Sequence, residues 1–168
     1  MSKSKKRKSR KKKKINPRVN PGRAALIERV KKSEHLPGTD IIIDPPNKEK
    51  MSEVIKEFVA PFIDACIDNA QIKTLVSLGF VVWNASLFPE TKQKEMLNKI
   101  KDSIPILDEE EKNLFYKDII EPLFKRKKDY FSSNTRMIVD YQFSEHNGVL
   151  NFDVVSTLSG KENGKEII

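Results

Sequence analysis

The first fourteen residues, MSKSKKRKSRKKKK, contain no acidic side chain and no apolar one except Met1. Those absences exclude an independently folding segment, because no buried surface offsets the entropy of ordering the chain, so a disordered arm is expected. Cysteine is nearly missing as well, with Cys66 alone. A lone thiol excludes an intramolecular disulfide and a cysteine metal cage within one chain, and fits a reducing, intracellular setting, cytoplasmic or, in a eukaryote, nuclear or nucleolar. Long apolar runs are absent too. The most apolar window, 72–88, is interrupted by Lys73, Thr74, Ser77, Asn84 and Ser86, short of the roughly 20 apolar residues a spanning helix needs. INPRVNPGR follows the basic start where a secretory signal would turn apolar, which argues against secretion and for a soluble chain.

What is present is charge, unevenly placed. Of 32 basic residues ten lie in the first fourteen positions, leaving 22 basic against 24 acidic in the rest, a net of −2. From Met51 onward the balance is 15 against 19, or −4. A basic domain surface is therefore not expected, and the basic segment reads as a cationic tether. Lysine and arginine on such a tether release counterions condensed on RNA or DNA and give affinity without sequence preference. Lys5, Lys6, Arg7, Lys8, Arg10, Lys11, Lys12, Lys13 and Lys14 are the expected phosphate contacts. The same run would serve nuclear import, adhesion to anionic lipid, or simple solubility.

Further along, residues 15–22 read as a linker and 21–34 as a short helix with a weak stripe of Ala24, Leu26, Ile27 and Val30. Ile41, Ile42 and Ile43 suggest a short strand closed by Asp44, Pro45 and Pro46. From Met51 to Ala70 apolar residues recur at three and four steps, predicting one helical face of about five turns that kinks or restarts at Pro61. Residues 72–88 lack a polar face and predict a central buried helix. A charged helix follows Pro89 to about 102, with Met96, Leu97 and Ile100 inward. Another begins after Asp108, with Leu114, Phe115, Ile119, Leu123 and Phe131 inward and a kink at Pro122. Lys125, Arg126, Lys127 and Lys128 sit where a helix dipole favours cations.

The period then falls to two. Asn147-Gly148 signals a type I′ hairpin, pairing Phe143 with Phe152, Tyr141 with Val154, Val139 with Ser156, Ile138 with Thr157 and Met137 with Leu158. The face holding Ser144, Gln142, Asp140, Asn151 and Asp153 should meet solvent.

Sharper chemistry finds little support. On one continuous helix Glu53, Glu57, Asp64 and Asp68 would share an acidic stripe, a solvated face or a resting site for the basic arm. No ligand loop accompanies it, so no metal is expected. His35 and His146 are isolated, and Asp140 and Asp153 beside His146 read as strand decoration rather than acid-base equipment. Cys66 sits on an apolar stripe and reads as an inert thiol. Trp83 and Phe80 read as core.

The segment Ile41 to Asn47 resembles the strand-and-DPPY motif of amino methyltransferases. Asn47 stands where that motif needs the aromatic that stacks on a flipped base, and no glycine-rich cofactor loop precedes it.

The sequence thus predicts an α+β domain over 23–159, with helices around a central one at about 72–88 and an antiparallel hairpin at about 135–158, flanked by a basic arm and linker (1–22) and a frayed tail (160–168). A third strand from Ile41 to Ile43, or pairing of the hairpin edge in a dimer, would support the hairpin. The expected function is a small non-enzymatic nucleic-acid-associated protein without a cofactor, the arm binding RNA or DNA and the domain a partner. The alternative is a protein-interaction adaptor whose arm serves localisation.

Overall fold

The computed structural model describes residues 21–32, 41–42, 49–102 and 108–157. The basic arm, residues 15–20 of its linker and the tail expected at 160–168 lie outside them, whereas Pro21 and Gly22, expected at the end of the linker, begin the first helix. Helix α1 spans Pro21–Lys32 and strand β1 spans Ile41–Ile42. Helices α2 (Met51–Ile63), α3 (Asn69–Ala85) and α4 (Glu90–Asp102) follow. Next come α5 (Glu109–Phe115), a π-helical stretch (Tyr116–Ile120) and α6 (Glu121–Tyr130), then strands β2 (Ile138–His146) and β3 (Val149–Thr157). The architecture is α+β, with α3 inside the helical layer and the sheet against it.

Helix α2 stops two residues after Pro61 and the chain restarts at Asn69. The five-turn helix expected over 51–70 is thus two helices, because proline removes a ladder bond at the point where the helix frays. Asp68 then caps α3, accepting from the Gln71 amide at 2.8 Å. Its buried residues include Leu75, Val76, Phe80, Val82 and Trp83. Gly79 lets α2 approach closely, since a Cβ there would lie 2.8 Å from Val59 Cγ1. Phe58 of α2, Trp83 of α3 and Phe131 after α6 meet edge to face, with ring centroids 5.4 to 5.8 Å apart.

Asp108 and Glu111 form a reciprocal capping box at the start of α5. Leu114, expected inward, is 59% exposed, whereas Ile120 is fully buried. The π-helical stretch explains both positions: its wider turn rotates the residues before it relative to α6. Pro122 at the start of α6 lacks the N–H that an uninterrupted helix would need there.

The hairpin turns through Asn147 (φ 52°) and Gly148 (φ 76°), both left-handed as a type I′ turn requires. The expected pairing holds from His146 with Val149 to Asp140 with Val155. It then slips at a bulge: Ile138, not Val139, faces Ser156. The expected pair of Ile138 with Thr157 is therefore absent, and Leu158, expected opposite Met137, lies outside the described residues. Two links hold Ile138 in place, its amide donating to Asn84 Oδ1 and its carbonyl accepting from Asn84 Nδ2, at 2.9 and 2.8 Å. β1 adds a third strand, antiparallel to the end of β3, in the order β1-β3-β2.

One expectation fails at the sheet's second face. It does not meet solvent throughout, because α1 lies across it. Leu26 and Val30 pack with Val155 and Val139 in a cluster separate from the main core. The bulge releases Val139 from its expected pairing, and there it joins that cluster. Arg29 fixes the contact with two bonds to the Asp140 carboxylate, at 2.7 and 3.1 Å, and one to the Tyr141 carbonyl. Among the described residues no helix is long and apolar enough to cross a membrane.

Candidate nucleic-acid interface

Lys5, Lys6, Arg7, Lys8, Arg10 and Lys11 to Lys14 lie outside the described residues, so the structure locates only the place where their arm joins the fold. That place is the first turn of α1. Pro21 opens the helix, and the buried Leu26 and Val30 anchor its remaining turns to the sheet. Arg29 is held in its charged form more firmly than usual by its hydrogen bonds to Asp140.

Beside that turn lies a cavity of about 270 Å³ between α1, the start of α2 and β3. Arg23 reaches it from α1, and Lys50 and Lys56 from α2 and the residue before it. Lys50 occupies the N-cap position of α2 and offers no side-chain cap, where serine or aspartate is usual. Glu53 bonds Lys56 at 3.0 Å and so neutralises it in part. The hairpin side contributes Ser144, Asn151 and Asp153. Sequence reasoning missed this grouping, because its cations come from two segments separated by the whole β1 region. The one local signal was a lysine standing in a capping position.

The four residues of the proposed acidic stripe occupy two settings. Glu53 and Glu57 belong to α2, whereas Asp64 is its C-cap and Asp68 the N-cap of α3. The periodicity that would align them ends at Ile63, where the helix ends. Asp68 is committed to the Gln71 amide and Glu53 to Lys56.

The other basic cluster, 125–128, is used by the fold. Arg126 donates to the carbonyls of Phe58 and Glu57 at 3.1 and 3.2 Å. Lys127 is 3% exposed. Its ammonium lies 4.3 Å from the Trp83 ring centroid and donates to the carbonyls of Phe131 and Asn134. Burial pulls its pKa down to about 8. Lys125 pairs with Asp129, and Lys128 lies over the Phe124 ring. These contacts match the structural role expected from the helix dipole and add packing to it.

Arg136 is a cation that the sequence did not single out. Only 7% exposed, it donates through Nη2 to the Glu49 carbonyl at 3.0 Å, while its buried Nη1 has no hydrogen-bond acceptor among the described residues. Burial lowers its pKa, against the pull of Glu49.

Other candidates for chemistry stay apart. His146 is exposed beside the hairpin turn. The half-buried Cys66 thiol donates to the Phe62 carbonyl at 3.8 Å, and burial together with Asp68 pushes its pKa up, away from thiolate reactivity. Trp83 and Phe80 are core residues. Among the described residues no group of histidine, cysteine, aspartate and glutamate could hold a metal ion.

No protein-family model, curated protein or solved structure matches this chain.

Proposed function

We propose that this chain is a small, non-enzymatic nucleic-acid-associated protein whose basic arm supplies affinity for RNA or DNA phosphates. One observation carries the reading: ten cations and no carboxylate within fourteen residues, ahead of a sequence of opposite net charge. Such a run neutralises phosphates without reading bases, so its affinity is steeply salt dependent. The use of Arg126 and Lys127 in packing is compatible with this division, since it leaves the arm as the main store of available positive charge.

A salt titration tests it. With about six or more arm charges on phosphates, affinity for a short duplex should fall on the order of a thousandfold between 50 and 200 mM salt. An arm-deleted chain that binds RNA and DNA as tightly as the full chain would end the proposal. Co-purification from cells with and without nuclease asks the same question at the level of partners.

A second reading, a protein adaptor whose arm serves localisation, draws on exposed apolar groups at one corner. Ile67 is 85% and Val149 60% exposed. The bond from Asn69 Nδ2 to the Gly148 carbonyl, 3.2 Å long, joins their two loops. Binding that survives nuclease and depends on Ile67 would favour it.

A further inference from the structure

The cavity at the root of the arm is a positive spot beside a mildly acidic stretch of chain. From Met51 onward acidic residues outnumber basic ones, 19 to 15. The cavity wall reverses that, with Arg23, Lys50 and Lys56 against Glu53 and Asp153. Of these cations Lys56 is tied to Glu53, whereas Lys50 makes no ion pair among the described residues. The residue before Lys50 is held in place, since the carbonyl of Glu49 accepts from Arg136 Nη2 at 3.0 Å. Ser52, Ser144 and Asn151, which can donate, also line the wall, beside the apolar Met51, Phe152 and Val154. Concave sites lined by an excess of one charge focus the field and concentrate ions of the opposite sign.

Position gives the charge its meaning. Arg23 sits on the first turn of α1, directly after the segment that leads from the arm. Seven chain steps separate Lys14 from Pro21, so at most about 25 Å lies between the last arm cation and the helix. A polyanion held by the arm is therefore kept near the cavity, and a contact there forms at high effective concentration. The size of the cavity, about 270 Å³, suits one nucleotide unit rather than the flank of a duplex. Single strands can turn such a unit out of a stack, which a regular duplex resists.

We propose that this cavity is a phosphate subsite of the folded domain, with Lys50 as its principal cation, taking one backbone phosphate of the same single-stranded nucleic acid that the arm holds. The inference rests on the nucleic-acid reading above and deepens it. It adds to the arm's affinity a contact on the folded part, which positions the strand on the domain without reading its bases.

Full-length protein titrated with twelve-nucleotide oligouridylate and oligothymidylate tests it, by amide chemical shifts and by binding anisotropy over a range of salt. Three variants accompany the wild type: Lys50→Glu, Ser144→Asp, and a chain with the ten basic residues of the arm changed to serine. Either oligonucleotide should shift the amides of Ser52, Ser144 and Asn151. Lys50→Glu and Ser144→Asp should each weaken binding on the order of fivefold, and Lys50→Glu should lower the salt slope by about 0.7, as for one lost contact on a single strand. Hairpin shifts report that each variant is folded, and Ser144→Asp carries the test if Lys50→Glu disturbs α2. Arm-dependent binding that leaves the cavity amides and both point variants unchanged would overturn the subsite and leave the arm reading standing. Undiminished binding by the arm variant would instead overturn the arm reading, with the cavity shifts then judging the subsite alone. No binding by the wild type would remove both.

Discussion

Arg126 Nη2 donates to the backbone carbonyl of Glu57, 69 positions earlier, at 3.2 Å. Four residues beyond Glu57 stands Pro61, which has no N–H to close the helical bond. The guanidinium of α6 thus satisfies an acceptor that a proline in α2 leaves open, and its Nε takes the next carbonyl, that of Phe58. Arg126→Ala should lower stability by about 1 to 3 kcal/mol, the usual net worth of two hydrogen bonds from a charged donor, one of them part-buried. Urea denaturation checks this. Pro61→Ala in the Arg126→Ala background should recover part of the loss, because alanine restores the helical donor.

Gly79 sets the spacing of α2 and α3. Gly79→Ala brings a methyl to 2.8 Å from Val59 Cγ1, inside any ordinary contact. A cost of about 1 to 3 kcal/mol is expected from overpacking. Val59→Ala removes the obstructing methyl, so the double variant should be more stable than the sum of the two single losses implies. A double-mutant cycle by thermal or urea unfolding measures that coupling.

Lys127 gives stability a pH dependence of known sign. Its pKa falls from 10.5 to about 8 in the fold. Below about 8 both folded and unfolded states carry the proton, and the burial cost is fully present. Between about 8 and 10.5 the unfolded chain binds more protons than the folded one, so this residue's contribution to stability rises with pH. Cys66 and Tyr116, whose pKa values are raised by burial, act in the opposite direction. Comparison with Lys127→Met cancels them, since both remain in the variant. The wild-type melting temperature minus that of the variant should increase from pH 7.5 to 9.5; a flat difference would contradict the burial of a charged amine.

Helix α1 should detach without unfolding the rest. Leu26 is fully buried, but against Val155 and Val139 rather than the main core. Leu26→Ala should cost about 2 to 5 kcal/mol of local stability. Hydrogen exchange should accelerate across α1 while the amides around Phe58 and Trp83 keep their protection. Asp140→Asn should have a smaller effect, under about 1 kcal/mol, because the Arg29 pair is half exposed.

Much of the fold was legible because its cues are local. Asn147-Gly148 specified a type I′ turn, and the alternation around it specified which residues of the hairpin oppose. Three- and four-residue spacing marked α2, and Asp108 with Glu111 marked the start of α5. The bulge at Val139 and the π-helical stretch before Pro122 were not legible, since each is a one-residue change of register that shifts every residue on one side of it. That is why Leu114 was expected inside and Ile120 was overlooked.

The candidate site divides in the same way. The arm is written in fourteen consecutive residues, and composition alone states its charge. The cavity at its root joins Arg23, Lys50 and Ser144, which no period connects. Sequence by itself determined the element types, the hairpin turn and the separation of a cationic arm from a mildly acidic remainder, because each depends on near neighbours or on simple totals. Tertiary structure decided that α1 covers the second face of the sheet, that Arg126 reaches Glu57 and that three distant segments enclose one positive cavity. A hydrophobic period tells which face of an element avoids water, but only packing selects what lies against it.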